Sequence, residues 1–113
     1  MAAQSLVSVV IPTLNEARTI GTTLRHLDRQ SPPFECIVVD GGSTDATRSQ
    51  ARAAGASVLR TERGRGCQLN RGAQAATGDL LLFLHADTRL PPNGLSLIRD
   101  TLVRSSAVAG IFR

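Results

Sequence analysis

The sequence predicts one α/β domain, a mostly parallel sheet with helices on both faces. Two observations carry that expectation. Short β-branched runs alternate with longer stretches of helical periodicity, and the first two runs stop at Pro12 and at Gly41-Gly42. Strand, helix, strand, helix at this spacing builds right-handed βαβ units, whose doubly buried strands read as continuous apolar runs. At 113 residues and 12.0 kDa the chain suits a single domain.

Taken in order, Leu6–Ile11 reads as a buried strand ended by Pro12. Ile20, Leu24 and Leu27 recur at helical spacing within a helix from about Ala17 to Leu27, broken by Ser31-Pro32-Pro33. Glu35–Asp40 is the second strand. Ser43 or Thr44 is placed to cap a helix running to about Ala54, with Asp45 in its first turn and Gly55 at its end. Ser57–Arg60 is a short third strand, and the Gly- and Arg-rich loop Thr61–Gly66 leads into a helix through Ala76. Asp79–Leu84 is apolar enough to be a strand buried on both faces. Pro91-Pro92-Asn93 opens a helix over Gly94–Ser105, and Ala107–Phe112 reads as a fifth strand.

Composition narrows the function classes. The net charge of +4 comes with thirteen arginines and no lysine, scattered apart from a concentration at Arg60, Arg63, Arg65 and Arg71. With three Phe and neither Tyr nor Trp, the chain lacks stacking platforms for single strands, so no nucleic-acid partner is expected. A local arginine cluster suits a small phosphorylated ligand instead. The longest apolar run, Leu80–Leu84, is far short of the roughly 20 residues of a membrane span. Met1–Ser5 carries no export signal, and Cys36 and Cys67 lack C-x-x-C spacing, so a reduced, cytoplasmic setting is expected.

Open parallel sheets bind ligands beyond the carboxyl ends of their strands. Four polar segments stand at such ends: Pro12–Glu16, Asp40–Asp45, Arg63–Gly66 and His85–Thr88. Asp40, followed by two glycines, presents a carboxylate beside backbone that a ligand can approach; the plainer reading is a tight turn at Gly41-Gly42. Neither G-x-G-x-x-G after the first strand nor a P-loop is present, which disfavours nicotinamide enzymes and P-loop phosphotransferases. Asp87 is placed to hold a divalent ion carrying a diphosphate, Mg2+ or Mn2+. His85 reads first as a hydrogen-bonded histidine at a sheet edge and second as a further ligand that favours Mn2+. Arg63 and Arg65 can stack on a base or fork onto phosphate; otherwise they are surface charge on a solvated loop.

Three ordered motifs, Ser8–Glu16, Val38–Asp45 and Gly78–Asp87, together resemble the family-two inverting glycosyltransferases of the GT-A fold, and the stretch Arg63–Asn70 is similar to a bacterial subgroup of them. The resemblance implies a Rossmann-like GT-A sandwich. Pro12, Thr13, Leu14 and Glu16 would line a nucleotide pocket. Asp40, with Gly41 and Gly42 beside it, would contact the base, typically uracil, and Arg65, with Arg63 in the same stretch, the base or phosphate. His85-Ala86-Asp87 stands at the family's D-x-D element, with His85 in place of the first aspartate and Asp87 keeping the metal-ligand role for Mn2+ or Mg2+.

The resemblance spans essentially all of residues 1–113, yet only the nucleotide-sugar-binding half of the family's domain, so the sandwich is expected to be truncated. The implied reaction is inverting transfer of a sugar, UDP-linked, to an unknown acceptor. The general base that takes the acceptor's proton belongs to the other half, and no residue here is assigned to it. The alternative is a catalytically incomplete nucleotide- or metal-binding module, or one that self-associates into a homo-oligomer through uncovered sheet edges.

Overall fold

The computed structural model describes residues 5–105 and 109–112, with side chains as far as Thr101. Its elements are β1 (Val7–Thr13), α1 (Ile20–Asp28), β2 (Phe34–Asp40), α2 (Thr47–Ala53), β3 (Ser57–Arg60), α3 (Arg65–Ala75), β4 (Leu80–Leu84), α4 (Gly94–Ser105) and β5 (Ala109–Phe112). The five strands form one parallel sheet in the order β3-β2-β1-β4-β5. The chain steps outward from β1 through β2 to β3, then returns across the sheet to place β4 on the other side of β1. That reversal opens a crevice between the carboxyl ends of β1 and β4.

Helices cover both faces, as the alternation predicts. Val7, Val9 and Ile11 of β1 pack with Ile20, Leu24 and Leu27 of α1, Ala51 of α2, and Leu95 and Ile98 of α4. Complete burial of each large aliphatic side chain contributes roughly 1.5–3 kcal/mol before the entropy of ordering is subtracted. On the other face Val10, Ile37 and Val39 meet α3 through Leu69 and Ala75. The approach is close enough that a Cβ on Gly72 would lie 2.3 Å from Val10 Cγ1, so α3 seats against the sheet only because that residue is glycine.

Several boundaries differ from expectation for identifiable reasons. Pro12 does not end β1: it pairs in register with Val39, and the strand runs on to Thr13. The ladder to β4 stops at Val10, so the missing Pro12 N–H, which faces that side, takes no bond from it. Helix α1 begins at Ile20 rather than Ala17, because Glu16 O accepts the N–H groups of Thr19 and Ile20 and turns the chain first. Ser43 and Thr44 do not cap α2, which starts at Thr47 without a side-chain cap; both are engaged elsewhere. Arg65 lies in the first turn of α3 rather than in the preceding loop. In β4, Leu81 and Phe83 are only half-buried; among the described residues α3 is the helix that packs on their side of the sheet. Ala107 and Val108, expected to begin the fifth strand, lie outside the described residues. Cys36, half-buried, and Cys67, exposed, are both free thiols.

Candidate functional site

A cleft of about 210 Å³ opens at the switch point, lined by Pro12, Thr13, Leu14, Glu16, Arg65, Gln68, His85, Ala86 and Asp87. The crevice thus gathers the end of β1, the first turn of α3 and the segment after β4. Of the residues expected to bind a ligand, Pro12, Thr13, Leu14, Glu16, Arg65, His85, Ala86 and Asp87 come together here. A larger groove of about 520 Å³ between α1 and α2 carries Arg18 and Arg25, with no acidic or histidine side chain among the residues lining it.

The cationic and acidic sides of the cleft are built differently. Arg65 sets its Nη1 and Nη2 atoms 3.2 Å from His85 Nε2 and Nδ1 respectively. A guanidinium only donates, so the ring nitrogen it bonds is an acceptor. Asp87 is exposed, while Ala86 beside it is buried and its carbonyl accepts the hydroxyl of Thr23 on α1. Thr88 N–H closes a turn onto His85 O at 3.0 Å. The main chain around Asp87 is therefore anchored while its carboxylate stays free to meet a ligand.

Asp40 is a correction to the expected site. Its side chain is fully buried, and it is absent from the cleft lining. Oδ1 accepts the hydroxyls of Thr13 at 2.8 Å and Ser43 at 2.5 Å. Oδ2 accepts Gly42 N–H at 3.0 Å, Ser43 N–H at 2.8 Å and Arg48 Nη1 at 2.9 Å. Burial pushes its pKa up, but the bonds from Ser43, Thr13 and Arg48 outweigh it and hold the carboxyl at about 2. Five donors leave it no free lone pair for a base. Asp40 instead fixes Thr13, which does reach the cleft.

The rest of that motif braces the β1 loop. Asn15, at φ 54°, donates its N–H to Ser43 Oγ at 2.8 Å and accepts Thr44 N–H at 2.8 Å. Glu16 N–H reaches Thr47 Oγ1 at 2.8 Å, and Ala17 N–H reaches Asp45 Oδ2 at 3.2 Å. Gly41 is buried and Gly42 exposed, both outside the lining. Arg63 is exposed on the loop before α3 and likewise stands apart from the cleft.

Two residues escaped sequence reasoning, Arg48 and Gln68. Arg48 pairs with Asp40 from α2, a tertiary contact that local pattern does not announce. Gln68 is buried on the sheet-facing side of α3, one turn before Gly72. A polar residue in register with a buried glycine was the available signal.

A divalent ion can be tested against this donor set. Among the described residues no group of three His, Cys, Asp or Glu could hold a metal. Asp87 offers an open carboxylate, while His85 is covered by Arg65. That suits an ion that takes one carboxylate and completes its shell with phosphate oxygens and water, as Mg2+ and related ions do.

A parallel sheet with this strand order and a polar cleft at its reversal defines a doubly wound, Rossmann-like α/β domain. The chain belongs to glycosyl transferase family 2, whose profile matches residues 8–113. It is 37% identical over 116 residues to a PGL/p-HBAD biosynthesis glycosyltransferase of Mycobacterium bovis, covering 96% of this chain and 43% of that protein. Among solved structures, a mannosyltransferase from Pyrobaculum calidifontis in complex with GDP-Man and Mn2+ superposes with a TM-score of 0.71 at 30% identity, over 94% of this chain and 32% of that one. Glucosyl-3-phosphoglycerate synthase from Mycobacterium tuberculosis, in complex with Mn2+, UDP and glucosyl-3-phosphoglycerate, gives 0.69 at 32% identity, over 93% and 40%. The chain spans less than half the length of each of these relatives.

Proposed function

We propose that this chain forms the donor-binding half of an inverting glycosyltransferase that takes its sugar from a UDP-linked donor. The observation that carries the reading is the meeting of Arg65, His85 and Asp87 with the Pro12–Glu16 loop in one cleft at the switch point. Arg65 offers a fork of donors to phosphate oxygens or a flat face to the base. Pro12, Thr13 and Leu14 supply a wall of main chain and apolar surface, braced from below by Asp40. Asp87 would hold Mn2+ or Mg2+, which when bound neutralises charge on the departing diphosphate. Arg65 adds positive charge on the same side, stabilising the diphosphate as negative charge grows on it. No residue of this chain is assigned the role of the base that deprotonates the acceptor.

The test is calorimetry and thermal denaturation of the intact protein with UDP and GDP, each with and without Mn2+. Binding to the native state raises the melting temperature, so UDP with Mn2+ is expected to give the larger rise. No interaction with either nucleotide, with or without metal, would sink the assignment. A preference for GDP would overturn the uridine reading and leave the cleft standing.

A further inference from the structure

Gln68 has no part in the ligand contacts proposed above, yet it is among the most fully engaged side chains at the cleft. It is 5% exposed. Its Nε2 donates to Thr13 O at 2.8 Å and to Val39 O at 2.9 Å, and its Oε1 accepts Gly64 N–H at 3.3 Å. Thr13 and Val39 lie on neighbouring strands of the β1–β2 ladder, and the Thr13 carbonyl also accepts Gly41 N–H at 3.0 Å. The side chain therefore joins three segments: the end of β1, the end of β2 and the residue immediately before α3.

The surrounding chain is shaped to admit that amide. A Cβ on Gly41 would lie 2.9 Å from Gln68 Cδ and Oε1, so the space a side chain at 41 would occupy is filled by Gln68 instead. One turn further along α3, Gly72 lets the helix close onto Val10 and Val39. Both glycines serve the same seating of α3 against the sheet, and Arg65 stands in the first turn of that helix.

We infer that Gln68 is a positioning residue for the nucleotide cleft: it locks the start of α3 to the ends of β1 and β2 and so fixes where Arg65 is presented. The inference rests on the donor-binding reading above. Gln68 is part of the cleft lining, but its amide is taken up by main-chain groups, so it acts through Arg65.

The experiment is a double-mutant cycle on the intact protein. UDP affinity in the presence of Mn2+ is measured for wild type, Arg65→Ala, Gln68→Met and the double variant, with amide hydrogen exchange on each. Methionine keeps the length and apolar stem, and Thr13 O retains its bond from Gly41. Gln68→Met is expected to weaken UDP binding about tenfold, roughly one lost hydrogen bond's worth of alignment. The double variant should bind no more weakly than Arg65→Ala alone. Exchange at Gly64 should accelerate while the β1 and β2 amides hold. Gly41→Ala, which displaces the same amide from the opposite side, should reproduce the loss. Additive effects of Arg65→Ala and Gln68→Met, or unchanged UDP affinity in Gln68→Met, overturn the proposal. If wild type binds neither UDP nor GDP, the donor-binding reading is what fails; exchange at Gly64 then judges Gln68, and an unchanged rate there removes its positioning role.

Discussion

Arg65 lies against the imidazole of His85, its Nη1 and Nη2 each 3.2 Å from a ring nitrogen, of which a neutral ring offers one as acceptor. The two residues come from different elements, the first turn of α3 and the segment after β4, so their contact bridges the crevice that the strand order opens. His85 thereby meets the arginine inside the cleft that Asp87 also lines.

Replacing Arg65 with alanine should weaken binding of UDP with Mn2+ by about tenfold or more, the cost of losing a charge-assisted donor pair. Arg65→Lys should recover only part of that loss, because an ammonium lacks the planar fork. Equal affinities for wild type and Arg65→Ala in titration calorimetry would place the phosphates elsewhere.

Asp87→Ala should abolish the part of the UDP-induced rise in melting temperature that requires Mn2+. Asp87 is exposed. The unliganded variant should therefore unfold within about 0.5 kcal/mol of wild type, as surface substitutions usually do. A surviving metal-dependent rise would remove Asp87 as the ligand.

Acid should weaken the fold through Asp40. Its carboxyl titrates at about 2 in the folded chain, against an ordinary 3.8. Folding thus favours the ionised form, so the stabilisation is complete above about pH 4 and drains away as pH falls toward 2; it is worth about 2 kcal/mol. Urea unfolding should show Asp40→Asn destabilised at pH 6, with the gap from wild type narrowing by pH 2.5. Parallel pH profiles for the two proteins would mean that Asp40 does not carry this dependence.

Two glycines of α3 should respond oppositely to alanine. At Gly72 the new Cβ meets Val10 at 2.3 Å and Val39 at 3.1 Å, and overpacking of this kind costs about 1–3 kcal/mol. At Gly66 nothing lies within 4 Å. Alanine there should stabilise by about 0.5–1 kcal/mol through helix propensity and a less mobile unfolded chain. Chemical denaturation of both variants checks the contrast, and a neutral Gly72→Ala would mean that α3 has room to shift.

The fold was legible because each of its central strands is a nearly unbroken apolar run, which is what burial between two helical layers demands. Val7–Ile11 and Ile37–Val39 show it directly. Ends were harder. Pro12 reads as a stop, and only the sheet order shows that its missing donor faces the side where pairing has already ceased. Ser43 has the chemistry of a helix cap, yet its hydroxyl is drawn to Asp40 and Asn15, partners that tertiary structure supplies.

The same distinction runs through the site. Arg65, His85 and Asp87, which meet in the cleft, could be picked out because polar side chains at a strand end or in a glycine-rich stretch are conspicuous. Asp40 was conspicuous for the same reason and misread. A carboxylate at a strand terminus looks alike in sequence whether it faces a ligand or five donors from its own chain. Arg48 carried no local mark and Gln68 only its spacing from Gly72, since their roles exist only once α2 and α3 have docked.

The central position of β1 has a consequence for biosynthesis. Its Val7–Val10 segment pairs with Leu80–Phe83, a partner translated long after β1 itself has emerged. Until then one edge of a largely apolar strand lies open, and an open edge of that kind invites pairing with other chains. Ribosome-bound intermediates lacking β4 should therefore be the species most dependent on chaperones, and the yield of folded product should be set by how quickly translation passes Leu84.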